Sequence, residues 1–251
     1  MGFKCGIVGL PNVGKSTLFN ALTKNAMAAA ENYPFCTIEP NVGQVPVPDP
    51  RLQQIANIVK PKKIVPTLLA FVDIAGLVRG ASKGEGLGNR FLGAIREVDA
   101  ILHVLRCFED DNVTHVDGKI DPVRDAATVN AELMLADLES LEKQTQGVVK
   151  RQRGGDTDAA KQLNLLERII AKLQVGLPAR DVKISAEEKE PMRRLQLLTS
   201  KPVLYVCNLD ESAASRGNEF SRAAGDMAVE ELSLIHISEP TRPRLISYAV
   251  F

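Results

Sequence analysis

The chain has 251 residues, 31 basic and 31 acidic side chains, and 45% apolar residues. That length suits one large domain or two smaller ones, and a formal charge of zero argues against a strongly basic nucleic-acid protein while leaving room for a local basic patch. No apolar run reaches the about 18 residues of a transmembrane helix, and MGFKCGIVG lacks the basic start and long apolar core of a signal peptide, so a cytoplasmic protein with no membrane contact is expected; a monomer is expected as well.

FKCGIVGL is a short apolar run of strand length ending near Gly9. KSTLFNALTK then reads as a helix with Leu18 and Leu22 four apart on one face. TLLAFVDIAG is a second buried strand, NRFLGAIREVD a helix, AILHVLRCF a third strand and KPVLYVCN a fourth. Near-continuous Val/Ile/Leu strands alternating with helices predict an α/β fold with a mostly parallel sheet and helices on both faces. The four cysteines form no CxxC pair, and reduced thiols are expected.

Between the third and fourth strands the period changes. Ala127, Ala131, Met134, Leu138, Leu141, Thr145 and Val148 follow a 4,3 spacing, as do Ala159, Leu163, Leu166, Ile170 and Leu173. Gly154-Gly155 separates the two seams. The pattern predicts an antiparallel coiled-coil hairpin over 122–195, inserted into an α/β domain of 1–121 and 196–232; helices packed on the sheet are the alternative. The hairpin tip carries Lys150, Arg151 and Arg153, either as a solvated tip or as a nucleic-acid contact.

GLPNVGKST fits GxxxxGK[ST] directly after a strand and at the start of a helix. Amides of the loop (Asn12, Val13, Gly14) and of the helix start (Lys15, Ser16, Thr17) are expected to face phosphates. Lys15 reaches the β and γ oxygens, and the Ser16 hydroxyl takes one position on Mg²⁺. DIAG closes the second strand. There Asp73 is a Mg²⁺ candidate and the Gly76 amide a γ-phosphate sensor. Thr37, between the two motifs, stands where a switch threonine would cap the metal. Leu77 occupies the place of the water-orienting Gln of Ras-type GTPases. An aliphatic side chain cannot orient water, so hydrolysis either uses another group or is slow. Asn12 either helps hold a K⁺ ion beside the phosphates or only bonds within its loop.

VCNLDE (206–211) stands where GTP-binding proteins carry Asn-Lys-x-Asp. Leu209, expected beside the base with Asn208 and Glu211, removes the Lys whose stem would lie along it. Glu211 is one methylene longer than the Asp whose carboxylate would accept both guanine donors. Asn208 can still pair with N6 and N7 of adenine. Guanine selectivity is weakened and ATP favoured over GTP, although Asp210 leaves a one-residue shift open.

GLPNVGKST, YPFCTIEPN, DIAGLVRGASKGEGLGN, the helical insert and NLDE together strongly resemble the Obg-like ATPases of the YchF type, from residue 1 to about 230. The resemblance implies a P-loop G domain interrupted by a helical hairpin, preference for ATP, Mg²⁺, K⁺-aided hydrolysis and association with the ribosome. It carries phosphate binding to Asn12, Gly14, Lys15, Ser16 and Thr17, metal ligation to Ser16 and Thr37, and the base to Asn208 and Glu211. Leu77 fits the family's aliphatic residue at the Gln position. From residue 233 the chain departs from that pattern. SLIHISEPTRPRLISYAVF resembles a translated sequencing adapter, so a non-native tail, a sheet lacking its last strand and an absent TGS domain are expected. The alternative is that LIHIS is a genuine strand. An ATPase, a nucleotide-gated binding protein with slow turnover, and an inactive fragment are the three functional expectations.

Overall fold

The computed structural model describes residues 2–30, 42–74, 87–110, 112–113, 115, 118–231 and 234–238. In chain order the elements are β1 (Phe3–Val8), α1 (Lys15–Ala30), β2 (Val42–Pro46), α2 (Pro50–Val59), β3 (Leu68–Asp73), α3 (Leu87–Arg96) and β4 (Ala100–Arg106). Then follow α4 (Pro122–Arg153), α5 (Thr157–Gln174), α6 (Lys189–Arg194), β5 (Val203–Asn208), α7 (Glu219–Glu230) and β6 (Leu234–Ser238).

The strands form one six-stranded sheet in the order β2-β3-β1-β4-β5-β6. β1, β3, β4, β5 and β6 run parallel, and β2 runs antiparallel to β3. The four apolar runs read from the sequence are β1, β3, β4 and β5, the middle of the sheet. Ile7, Val8, Ile101, Val104, Leu105 and Val206 are almost wholly buried there, because a parallel strand covered on both faces has no solvent side. Two strands lie outside those four runs, and the second is the alternative raised for LIHIS. β2 (VGQVP) is short and holds Gly and Pro, which suits an edge. β6 is the LIHIS segment, paired along β5 from Leu204↔Leu234 to Asn208↔Ser238. The sheet therefore does not lack a sixth strand. A β-branched apolar run satisfies the free backbone edge of β5 whatever its origin.

The helices begin and end where their local chemistry allows. Asp121 accepts from the Arg124 amide and Pro122 opens α4; Asp156 accepts from the amides of Asp158 and Ala159 to open α5. Asn218 and Ser221 form a reciprocal capping box on α7. Between α4 and α5 the chain turns at Gly154 and Gly155, the latter at φ +89°, a conformation that favours glycine.

The apolar interior falls into two clusters. One surrounds the sheet and includes Ala126, Val129, Leu133 and Ala136 from the first half of α4. The other joins Leu141 and Val148 of α4 to Ala159, Leu165, Leu166, Ile169 and Leu173 of α5, and is closed by Val182, Met192, Leu195 and Leu197. The predicted seam is thus right for its second half and displaced in its first. Ala127 and Ala131 are exposed, because the sheet, not α5, claims that part of the helix. Both readings of the helices apply, each to one half of α4.

Three polar networks tie distant parts of the chain together. The wholly buried Asp137 carboxylate accepts from the amides of Leu198 and Thr199 at 2.9 and 2.8 Å and from the Thr199 hydroxyl at 2.7 Å. This fixes the returning chain to α4. Lys201 donates to the carbonyls of Arg96 and Val98 at the end of α3. On β5, the buried Tyr205 hydroxyl donates to Glu231 at 2.7 Å and accepts from Asn130 at 3.1 Å.

Candidate nucleotide-binding site

Parallel α/β sheets gather their ligand-facing loops at the carboxyl ends of the strands. Here β1 runs into the loop Gly9–Gly14, β3 ends at Asp73 and β5 ends at Asn208. Ile7 pairs with Asp73 and Arg106 with Asn208, so the loop, the acid and the amide share one end of the sheet.

The loop's glycines are required by geometry. Gly9 lies at φ +152°, and a Cβ there would sit 2.5 Å from the Val104 carbonyl oxygen. Gly14 lies at φ +96°, and its Cβ would run into the Asn208 amide nitrogen. Asn12 takes the left-handed conformation at φ 62°, which Asn tolerates better than most residues. The Leu18 amide closes the first turn of α1 on the Gly14 carbonyl at 2.9 Å. The helix N-terminus thus opens directly onto the loop and favours an anion there.

Lys15 is buried, and its ammonium donates to the Leu10 carbonyl at 2.6 Å. Burial lowers its pKa to about 8, against the opposing pull of Asp73. The Ser16 hydroxyl donates to one Asp73 oxygen at 2.7 Å. The other Asp73 oxygen is buried and has no hydrogen-bond donor among the described residues. Such an orphan acceptor is rare in a folded chain and suits a cation or a bound water. Ser16 and Thr17 are exposed at the start of the helix, as is Asn12 in the loop.

Asn208 is not simply poised for a base. Its side-chain amide donates to the Val13 carbonyl at 3.0 Å, and it is buried against Gly14. It ties the end of β5 to the phosphate loop across 195 residues of sequence. Leu209 is 3% exposed and packs in the main core. The contact expected of it at the base is therefore left to its backbone. Asp210 and Glu211 are exposed at the turn that follows. Val13 likewise puts its side chain in the core and only its backbone in the loop. Thr37, Gly76 and Leu77 lie outside the described residues. Lys150, Arg151 and Arg153 are exposed in the last turn of α4, far along the hairpin from the loop, and Arg151 donates to Gln162 at 2.7 Å.

One residue escaped the reading of the sequence. Arg106, fully buried at the end of β4, donates to the carbonyls of Phe108, Asp110 and Val113 at 3.2, 3.1 and 2.8 Å. Its guanidinium also lies over the Phe108 ring at 4.7 Å. It fixes the strand-to-helix loop beside Asn208. The available signal was a charge inside an otherwise apolar strand.

Loop, helix N-terminus, lysine, Ser–Asp pair and parallel sheet together define a P-loop nucleotide-binding domain. The comparisons with known proteins agree. The family described as 50S ribosome-binding GTPase matches residues 4–138. The Ribosome-binding ATPase YchF of Escherichia coli O157:H7 is 54% identical over 235 residues, which are 94% of this chain and 64% of that protein. Its namesake from Buchnera aphidicola subsp. Acyrthosiphon pisum is 43% identical over 95% of this chain and 68% of its own. The solved structure of the Schizosaccharomyces pombe YchF GTPase superposes with a TM-score of 0.82 at 38% identity, covering 95% of this chain and 66% of that one. The chain belongs to the YchF family of P-loop NTPases. It spans about 64% of the length of the E. coli relative.

Proposed function

We propose that this chain binds ATP in preference to GTP, hydrolyses it, and works on the ribosome as a nucleotide-controlled switch in the cytoplasm. The carrying observation is the cluster of Lys15, Ser16 and Asp73 around the phosphate loop, with Asn208 tied to Val13.

In this reading the loop amides and the N-terminus of α1 receive the β- and γ-phosphates. Lys15 exchanges its Leu10 carbonyl for phosphate oxygens and neutralises charge there as the terminal bond breaks. Ser16 and Asp73 are the residues present that fit a Mg²⁺ ion. They offer two hard oxygens in contact and a buried carboxylate oxygen with no donor among the described residues. When bound, Mg²⁺ supplies further charge neutralisation at the phosphates. Asn208 and the backbone beside it hold the base, and Glu211 disfavours guanine by its length. The relatives' names divide between ATPase and GTPase, so the base is the point to test. Asn12, exposed in the loop, is the proposed K⁺ contact. The G domain is proposed to span 1–121 and 196–232, with 122–195 as its helical insert and Lys150, Arg151 and Arg153 as a ribosomal contact at the tip. Leu77 favours a second reading of the same site, a switch whose turnover is slow.

The test is separate titration of ATP and GTP with Mg²⁺ and K⁺ present. ATP is expected to bind at least about tenfold tighter, which is about 1.4 kcal/mol. Tighter GTP binding would mean that Asp210 or the backbone reads guanine. Single-turnover measurement then separates the enzyme from the slow switch, and equal rates in Na⁺ and K⁺ would remove the role given to Asn12.

A further inference from the structure

Residues 51–72 contain no acidic side chain and carry Lys60, Lys62, Lys63 and Arg51, the last paired with Asp49 at 2.8 Å, in a chain whose 31 basic and 31 acidic side chains balance overall. Within this basic stretch lies α2. Its Leu52, Ile55, Ala56 and Val59 fall at i, i+3, i+4 and i+7, the stripe by which a surface helix usually lies on its core. Here only Ala56 is buried. Ile55, Ile58 and Val59 are 57%, 82% and 67% exposed, and the nearby Val65 is 69% exposed. The helix is nevertheless well fixed at both ends. Asp49 accepts from the Arg51 amide, and Lys60, in the left-handed conformation, donates its amide to the Ala56 carbonyl. A rigid, branched aliphatic face with a rim of lysines is a preformed docking surface.

We infer that α2 and the segment 60–65 bind an amphipathic helix of another protein, with an aliphatic stripe and an acidic rim. Charge complementarity sets the sign of the partner's rim, and the exposed Ile and Val side chains set its stripe. RNA is the poorer fit, because this face offers no aromatic plane for bases. A second copy docking face to face would bring lysines against lysines. The surface lies beyond Leu68, while Asp73 stands at the other end of β3, so a partner here leaves the phosphate loop open. The inference goes beyond the reading above and does not depend on the ribosome.

The probe is a fluorescently labelled helical peptide with leucines along one face and glutamates along the rim, compared with the same peptide carrying lysines instead. The glutamate peptide is expected to bind at low salt and weaken as salt rises. Ile58→Asp, and separately Lys60→Glu with Lys62→Glu, are each expected to weaken it about tenfold. Melting temperature and nucleotide affinity should stay unchanged, which excludes misfolding and keeps this test apart from that of the nucleotide site. Equal binding of the two peptides, binding that the substitutions leave intact, or binding of a single-stranded RNA oligonucleotide in preference to the peptide would overturn the inference. So would self-association of the chain that Ile58→Asp abolishes.

Discussion

The phosphate loop and the base of the helical hairpin both bury a charged group, and they treat it in opposite ways. At the hairpin base, Asp137 accepts from two amides and a hydroxyl at 2.7 to 2.9 Å. At the loop, among the described residues, the Lys15 ammonium donates to a backbone carbonyl of its own loop, and one oxygen of Asp73 has no donor. A satisfied buried network fixes one arrangement of the chain. An under-satisfied one is costly alone and is relieved by a ligand that supplies the missing partner. Polar burial therefore holds the fold together in one region and prepares a binding site in the other.

Exchanging the two charges for apolar groups is the strongest way to break this comparison. Lys15→Ala should weaken ATP binding about a hundredfold or more, yet leave the melting temperature unchanged or raise it, because a poorly compensated buried cation is gone. Isothermal titration and thermal melting on the same sample check both parts. A large loss of stability would mean that Lys15 is structural.

Asp137→Ala should do the reverse. Three donors lose their acceptor, at a cost of about 3 kcal/mol, read by chemical unfolding. The fraction that remains folded should bind ATP as before. Gly14→Ala tests the join between the regions of the sheet that form the site. It should cost about 1–3 kcal/mol in stability and weaken nucleotide binding as well, because the new Cβ displaces the Asn208 amide that holds Val13.

The smallest expected effect is that of pH. Lys15 has a folded pKa of about 8, below its ordinary value of 10.5. Between those values the unfolded chain binds more protons than the folded one, so this group's contribution to stability rises with pH across that window. ATP binding should move the other way. Phosphate favours the protonated amine, so above pH 8 binding takes up a proton and weakens by up to about tenfold per pH unit. A flat binding profile between pH 7 and 9.5, values chosen as roughly bracketing that titration, would show that Lys15 stays charged in the unliganded protein.

How much was legible follows element by element. β1, β3, β4 and β5 were readable because burial on both faces leaves unbroken apolar runs of strand length. The phosphate loop was readable because its anion contact demands glycines at fixed spacing. β2 and α7 gave no comparable signal, since a five-residue edge strand with Gly and Pro and a helix rich in Ala, Ser and charged residues carry few large apolar side chains to mark a face. The first half of the helical seam was displaced by one or two residues. Ala127 and Ala131 satisfy a heptad as well as Ala126 and Val129 do, and nothing local says which face meets the sheet.

By itself, then, the sequence determined the class of fold, the position of the P-loop and the identity of its lysine, its serine and the acid beside them, because these follow from local periodicity and from short-range spacing. Only the tertiary structure decided that Asn208 holds Val13, that Leu209 belongs to the core, that Arg106 braces the neighbouring loop, and that Ile55, Ile58 and Val59 of α2 face outward. Each of these depends on which residues distant in the chain come to share a surface. That is set by the packing of the whole sheet and its helices, and a one-dimensional pattern does not encode it separately.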